Sequence, residues 1–157
     1  MEVRAASFPA DLDAVRALFR LCVYDLGTNL AAQDFDEELA GLPGWYVPSI
    51  GGIWLATDGD EFTGCVGLLP FTNETCEMRR LFVREPYRNQ GLGRKLAEQA
   101  IETGKQAGYR QICTQTVPSH PSGMKLLRSL GFVEVESYTF KPVQGAVFFA
   151  KELRVSA

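Results

Sequence analysis

One stretch of the sequence constrains the fold more than any other: a strand candidate runs into a glycine-containing turn and then into a helix candidate. The strand spans 75–83, the turn leads to Gly91 and Gly93, and the amphipathic helix spans 92–107. Glycines let the backbone curl without a Cβ clash. The curl directs several N–H groups at one point, and the helix adds its positive N-terminal end. The pattern therefore predicts a main-chain cradle for an anion such as a pyrophosphate.

Two familiar phosphate-binding motifs fit this turn less well. A Walker loop requires lysine and then serine or threonine after its glycine, whereas Gly93 is followed by Arg94. A Rossmann turn requires a third glycine, and Leu96 occupies its place. The two glycines could also serve only a tight strand-to-helix turn, but the strand, Arg88 and the helix together favour the cradle. Arg88 and Arg94 can add positive charge at its rim.

The remaining periodicities predict a mixed sheet with helices packed on it, in a single domain over residues 1–157. The predicted strands are 3–7, 53–57, 63–70, 75–83, 111–116, 132–135 and 147–153. The predicted helices begin after Pro9 and at an Asp34 N-cap, and then span 92–107 and 121–130. The order is β-α-α-β-β-β-α-β-α-β-β, which places the chain in the α/β class, with an α+β type of mixed sheet.

Composition limits the partners. The net charge is -3 and the longest basic run is Arg79-Arg80, so we expect no nucleic acid partner, because phosphate backbones require a clustered basic face. Without a membrane-length apolar run or a signal-peptide pattern, we expect a cytoplasmic protein with no membrane partner. His120 is the only histidine, so no metal site is predicted. The scattered cysteines are expected to be reduced: Cys22, Cys65, Cys76 and Cys113.

Three motifs together resemble the GNAT superfamily of N-acetyltransferases. Residues 88–93, Arg-Asn-Gln-Gly-Leu-Gly, resemble its acetyl-CoA signature of Arg or Gln, two residues, Gly, any residue, and Gly or Ala. Glu77 with 81–83 resembles the family's fourth strand, and Leu126 with 130–132 resembles its last helix and the Leu-Gly-Phe that follows. The resemblance covers nearly the whole chain. It implies a three-layer fold with a mostly antiparallel sheet, a splayed strand pair and helices on both faces.

The resemblance also implies how acetyl-CoA, as cosubstrate, would be held. The turn amides that match the pyrophosphate-binding groups belong to Gln90, Gly91, Leu92, Gly93 and Arg94. Leu81, Phe82 and Val83 match strand positions whose exposed backbone pairs with the pantetheine arm and the thioester carbonyl. An N–H near Val83 would then be the oxyanion donor, and losing such a donor typically costs about 2.7–4 kcal/mol in the barrier.

An amine acceptor needs a proton acceptor, because an amine with a pKa of about 10.4 is mostly protonated at neutral pH. Glu77 is the first candidate for the general base. By strand alternation it shares a face with Leu81 and Val83, and it matches a general-base glutamate in some family members. The alternative is that Glu77 only pairs with Arg79 or Arg80 beside the sheet.

The tyrosine that the family often uses as general acid is absent. It usually lies four residues before the glycine of Leu-Gly-Phe, and that position is Leu127 here. Tyr138 is our replacement candidate, with Ser119 and His120 as further candidates. Each of the three could instead be structural. No nucleophile-elbow motif surrounds Ser119, which argues against a serine hydrolase.

Acceptor contacts in the family usually come from the first two helices and their loop. That region offers Tyr24, Asp25, Asn29, Asp34, Asp36 and Trp45. Its acids could hold a cationic amine, although N-capping and helix-dipole roles are the alternatives for Asp34 and Asp36. Arg79 and Arg80 are expected on opposite strand faces, so one of them could bind an acceptor carboxylate.

These observations predict transfer of an acetyl group from acetyl-CoA to a primary amine, by direct attack in a ternary complex. The acceptor could be a small molecule or a peptide. Two alternatives remain at this point. One is an acyl-CoA sensor or interaction module with weak or no turnover, and the other is a nucleotide-binding interaction protein. The resemblance leaves a homodimer open.

Overall fold

The computed structural model of the chain describes residues 1–26, 35–139 and 145–153. Within these ranges the strands form a single sheet, ordered β1-β2-β3-β4-β5-β7-β6. They are β1 (Glu2–Ala5), β2 (Gly52–Asp58), β3 (Glu61–Pro70), β4 (Thr75–Val83), β5 (Gln111–Thr116), β6 (Val133–Val135) and β7 (Val147–Glu152). Strands β4 and β5 pair in parallel, and the other neighbours are antiparallel. The predicted mixed, mostly antiparallel sheet is confirmed.

Helices cover both faces of the sheet. They are α1 (Leu12–Leu26), α2 (Phe35–Gly41), α3 (Leu92–Gln106) and α4 (Pro121–Ser129). Apolar residues of α1 and α2, such as Phe19 and Leu39, form one buried cluster with Leu55 of the sheet. Leu96 of α3 and Leu127 of α4 belong to a second cluster. The two clusters give the three-layer arrangement that the sequence predicted, while the expected N-cap at residue 34 lies outside the described residues.

A buried carboxylate fixes the entry into α1. Asp11 is 6% exposed and accepts hydrogen bonds from Arg4 at 2.7 Å and from the Ser7 N–H at 2.7 Å. Because that N–H is used by Asp11, it is not available to a sheet neighbour. Strand β1 therefore ends at Ala5, before residue 7, where the apolar pattern predicted its end.

Strand β4 separates from β5 after a short contact. Their parallel pairing joins Thr75–Glu77 to residues 111–113 and ends there, although β4 continues to Val83. On its other edge β4 stays paired with β3 up to Val83. The sheet therefore opens between β4 and β5, which is the splayed strand pair implied by the resemblance.

A β-bulge changes which residues of β4 share a face. Cys65 lies opposite Phe82 and Gly67 opposite Arg79, so Arg80 and Leu81 together oppose a single residue of β3. Arg80 has a φ of 59°, in the left-handed region that few non-glycine residues adopt. The bulge shifts the alternation of side chains by one position for the rest of the strand.

Two predictions about β4 are therefore wrong. Arg79 and Arg80 do not point to opposite faces, because both bond to carboxylates on the side of α1 and α2, Arg79 to Glu77 and Arg80 to Glu38. Glu77 does not share its face with Leu81 and Val83, which pack against the cluster under α3. Strict alternation holds only up to the bulge.

Candidate active site

A cavity of about 1090 Å³ lies where β4 and β5 diverge. Glu77, Arg79 and Arg80 of β4 face residues 114–116 of β5 across it. One end is bordered by α1, α2 and the loop at 42–46, and the other end by α4. We call the part of the cavity beside α2 and the 42–46 loop the acceptor half, and the part beside α4, together with the neighbouring 84–91 turn and the start of α3, the donor half. Residues 83–94 do not themselves line the cavity, and Arg88 contacts it through Asp25.

The turn after β4 leads to an open helix N-terminus. Asn89 and Gly91 have φ values of 63° and 83°, and Gly91 is the N-cap residue of α3, with no side-chain cap. A Cβ built on Gly91 would meet no atom of the described residues within 4 Å, so there is room for a group beside this N-cap. The first-turn N–H groups, which have no partner inside a helix, are therefore available to an external anion.

Gly93 lies next to α4 in the same turn. A Cβ added there would lie 3.4 Å from Leu126 and 4.0 Å from Val83, which are ordinary van der Waals distances, so an alanine would also fit. Of the two glycines in the motif, Gly91 is therefore the one whose left-handed backbone conformation favours glycine.

The backbone of Val83 faces the gap between the splayed strands. The N–H of Arg84 donates to Thr63 of β3 at 2.8 Å. Successive N–H groups of an extended chain point to opposite edges, so the N–H of Val83 points away from β3 and into the gap. This is the orientation that an oxyanion donor at this position requires.

Arg88 turns back from the 84–91 turn and lies across the mouth of the gap between β4 and β5. Its Nε donates to the Val83 carbonyl oxygen at 2.7 Å, and its Nη2 lies 3.4 Å from Oδ2 of Asp25 at the end of α1. Asp25 also contacts His120 at the start of α4, with 3.6 Å between Oδ2 and Nδ1. We call Asp25, Arg88 and His120 the bridge. Arg94 extends instead toward α4 and donates to Ser129 at 2.5 Å.

Glu77 is buried at the floor of the cavity, and both of its oxygens are engaged. The residue is 1% exposed. Oε1 accepts a hydrogen bond from Nε of Arg79, and Oε2 accepts one from the Tyr138 hydroxyl at 2.5 Å. Burial, and then the charge of Glu77, raises the pKa of Tyr138 well above its usual value. The Tyr138 hydroxyl therefore stays protonated at neutral pH and donates a hydrogen bond to Glu77. The rings of Phe71 and Phe148 pack edge-on against the tyrosine ring, with centroids at 5.2 and 5.3 Å.

A second buried ion pair forms the wall of the acceptor half. Arg80 contacts Glu38 of α2 through two hydrogen bonds, at 2.5 and 3.2 Å, with the side chains only 8% and 13% exposed. Glu38 also accepts a hydrogen bond from Tyr46 at 2.7 Å, and the guanidinium stacks over Phe35 at 5.0 Å. Burial opposes the ionisation of Glu38, but Arg80 and Tyr46 outweigh it and lower the pKa of the carboxyl.

The other predicted residues fall into three groups: those that line the cavity, those outside its lining, and those outside the described residues. Leu127 and His120 line the cavity, as do Asp25 and Trp45, whereas Tyr24, Asp36 and Ser119 lie outside its lining. Asn29 and Asp34 fall outside the described residues. Sequence reasoning missed the contributions of Glu38, Tyr46 and Phe71, because their contacts with Arg80, Glu38 and Tyr138 arise from the tertiary fold and no local motif marks them. Among the described residues, no three or more His, Cys, Asp or Glu side chains cluster as a metal site would require.

Comparison with known proteins identifies the family. A model of the acetyltransferase (GNAT) family matches residues 13–132, and the chain therefore belongs to that family. An uncharacterized N-acetyltransferase of Schizosaccharomyces pombe is 30% identical over 155 residues, which are 98% of this chain and 95% of that protein.

Solved structures agree on the fold. An acetyltransferase of the GNAT family from Staphylococcus aureus has a TM-score of 0.79 at 19% identity, covering 98% of this chain and 99% of its own. The yncA protein of Salmonella typhimurium, solved with its cofactor acetyl-CoA, has a TM-score of 0.80 at 20% identity, covering 100% of this chain and 96% of its own. Within the described ranges, no helix combines the length and the apolar character needed to cross a membrane.

Proposed function

We propose that this acetyltransferase transfers the acetyl group of acetyl-CoA to a primary amine by direct attack in a ternary complex. The observation that carries the proposal is the gap between β4 and β5, which holds a cleft with a buried carboxylate, together with the turn after β4 that leads to the N-terminus of α3, where no side chain caps the helix. Acetyl-CoA, when bound, supplies an activated acetyl group as a thioester. The remaining chemistry belongs to residues of the chain.

The donor half fits the coenzyme at two points. The main-chain amides at 90–94 would bind the pyrophosphate, where charge-assisted hydrogen bonds contribute about 1.5–3 kcal/mol each. The strand backbone at Leu81, Phe82 and Val83 would pair with the pantetheine arm, and the N–H of Val83 would donate to the thioester carbonyl. Arg88 and Arg94 would add positive charge beside the turn.

Glu77 and Tyr138 would handle the protons. An amine held at the cleft must lose a proton before it attacks, and Glu77 would accept that proton through Tyr138 or through a water molecule. The Tyr138 hydroxyl, which stays protonated because its pKa is raised, would protonate the departing sulfur. The hydrogen bond between them lets Tyr138 recover its proton from Glu77.

A binding module is the second candidate, and two observations favour it. The position of the usual tyrosine carries the buried Leu127, and both oxygens of Glu77 are occupied by protein groups. Such a module would bind acyl-CoA tightly without turnover.

Thiol release from acetyl-CoA across a panel of amines tests the proposal. We expect release that depends on the amine, and a Glu77→Gln variant with kcat lowered about 100-fold at neutral pH, since general-base catalysis contributes about 10²–10⁴-fold. The affinity for CoA should be unchanged in this variant. Glu74→Gln, which alters an exposed carboxylate directly before the start of β4, is the matched control and should keep the parental rate.

Other outcomes identify the alternatives. Tight CoA binding with no release for any amine would favour the binding module, and thermal stabilisation by ATP or NAD but not by CoA would favour a nucleotide-binding protein. A parental pH–rate profile in Glu77→Gln would make Glu77 structural. The cytoplasmic location, the single domain over 1–157 and a homodimer stay predictions.

A further inference from the structure

The bulge in β4 places two guanidinium groups side by side in the acceptor half, and only one of them is fully used by the protein. Arg80 is 8% exposed in its side chain and is held by both oxygens of Glu38. Its charge is neutralised and its position is fixed by packing on Phe35. Arg80 therefore belongs to the wall of the cleft and is not free to bind an acceptor.

Arg79 differs from Arg80 in its exposure to solvent and in its hydrogen bonds. Its side chain is 39% exposed and lines the cavity. It bonds to Glu77 through Nε, and in the part of the chain that the structure describes, its guanidinium makes no other hydrogen bond. A guanidinium has five N–H donors in a planar fork that matches the two oxygens of a carboxylate. The Nη side of Arg79 is thus available to a carboxylate that enters the cleft.

The charges of Glu77 and Arg79 form a pattern that has a chemical complement. The two residues lie two positions apart on the same face of β4, with the negative group deeper and the positive group nearer the solvent. An ammonium beside Glu77 and a carboxylate beside Arg79 would together satisfy both. A molecule that carries an ammonium and a carboxylate on the same carbon holds the two groups within one side-chain length of each other. Because their charges cancel, the molecule adds no net charge to the site.

We propose that the acceptor is a free α-amino acid, whose carboxylate binds Arg79 while its amine is directed toward Glu77 and Tyr138. This inference rests on the proposed function and narrows its acceptor. Two exposed rings at the cleft, Trp45 and Phe71, favour an amino acid with an apolar or aromatic side chain. A peptide N-terminus lacks the adjacent carboxylate and is the poorer acceptor.

The strand geometry is compatible with this placement. Arg79 lies between Glu77, two residues earlier, and Leu81, two residues later, which is about 7 Å along an extended strand in each direction at about 3.3 Å per residue. An amino acid anchored by Arg79 therefore lies between the proposed base and the strand backbone that begins at Leu81. That backbone is where the acetyl group is expected.

A matched acceptor series tests the inference without any mutation. We would compare L-phenylalanine, L-phenylalaninamide and phenethylamine by kcat/KM for thiol release from acetyl-CoA. We expect the amino acid to exceed both analogues at least tenfold. The amine of the amide is less basic, so its larger neutral fraction works against this preference and makes the comparison stringent. Equal or reversed values would overturn the proposal.

Variants of Arg79 then test whether this residue causes the preference for the amino acid over its amide. Arg79→Gln should reduce the ratio of kcat/KM between amino acid and amide at least fivefold, while Arg79→Lys should retain part of it. Arg110→Gln removes an exposed arginine at the start of β5 and should leave the ratio unchanged. An unaltered ratio in a folded Arg79→Gln, judged by its melting temperature, would also reject the assignment of the carboxylate to Arg79.

Binding separates this inference from the proposed function. Calorimetry of the CoA-loaded protein with L-phenylalanine and with its amide requires no turnover. Tighter binding of the amino acid, by at least fivefold, supports the carboxylate site even if no amine releases thiol, which would refute only the transferase. Turnover of many amines with no difference between acid and amide would support the transferase and refute the carboxylate site.

Discussion

The two halves of the cleft differ in whether backbone groups or side chains face a ligand. The donor half presents mainly backbone: a glycine-capped helix N-terminus and the free edge of β4. The acceptor half presents side chains, with the ion pairs Glu77–Arg79 and Glu38–Arg80 and the hydroxyls of Tyr46 and Tyr138. Backbone donors suit any sequence that folds into the turn, so the donor half can serve one ligand throughout a family. The acceptor half depends on particular residues and can differ between members.

The largest effect should be on the free energy of unfolding, and it should come from breaking the Glu38–Arg80 ion pair in the acceptor half. Glu38→Gln leaves Arg80 charged and buried without a carboxylate, and removing one partner of a buried pair costs about 3–5 kcal/mol. Urea denaturation at pH 7 measures the loss in the free energy of unfolding. Glu74→Gln breaks an exposed pair with Arg110 and should lose less than about 1 kcal/mol. Similar losses in the two variants would mean that Glu38 is not a structural anchor.

The same pair predicts a pH dependence. The pKa of Glu38 is lowered from its usual value of 4.5, so the folded state holds its proton less tightly than the unfolded state. Its contribution to stability is complete above pH 4.5 and is lost as the pH falls through the lowered value. The stability difference between the parent and Glu38→Gln should therefore shrink in that acidic range. A constant difference down to pH 3 would contradict the assignment.

The next largest effect should be on the affinity for CoA, and it should come from blocking the N-terminus of α3 in the donor half. Gly91→Glu adds bulk and negative charge in front of α3 at a φ of 83°, and we expect the Kd for CoA to rise at least about 100-fold, or about 2.7 kcal/mol. Gly108→Glu is the matched control, because Gly108 also has a positive φ, 91°, and open space around it. It lies beyond the other end of the same helix. Calorimetry showing equal CoA affinity for both variants would argue against the cradle.

A small effect on the affinity for CoA should come from changing the bridge, which lies between the two halves of the cleft. Asp25→Asn removes a negative charge 3.4 Å from Arg88, beside the proposed phosphate site. We expect the Kd for CoA to fall about two- to fivefold at low salt, with the gain lost at high salt because of screening. Asp60→Asn, in the turn between β2 and β3, should change nothing. A weaker affinity in Asp25→Asn would show that the bridge organises the site.

Local features were predictable from the sequence. The helix at 92–107 and the strand at 75–83 agree with α3 and β4 within a residue, because an apolar period bounded by glycine or by turn residues defines each element. The turn was also recognisable, since its function depends on glycines that are adjacent in sequence. The resemblance contributed the order of the layers and the splayed pair.

Long-range contacts were not predictable. Tyr138 and Glu77 were each selected, but their hydrogen bond joins residues 61 positions apart. Glu38 was missed because its partner Arg80 is 42 positions away. The bulge has no glycine or proline to mark it, since Arg80 itself adopts the left-handed conformation. Simple alternation therefore assigned the wrong face to everything after it.

The bulge has a consequence for how such a site can evolve. Deleting one residue at Arg80 would restore regular pairing between β3 and β4 and would leave a single arginine on the side of α2. The strand could keep its apolar contacts under α3 and its free edge, while the acceptor half lost its anchored pair. A change in chain length by one residue would thus alter the half where we propose that the acceptor binds, without disturbing the half where we propose that the coenzyme binds.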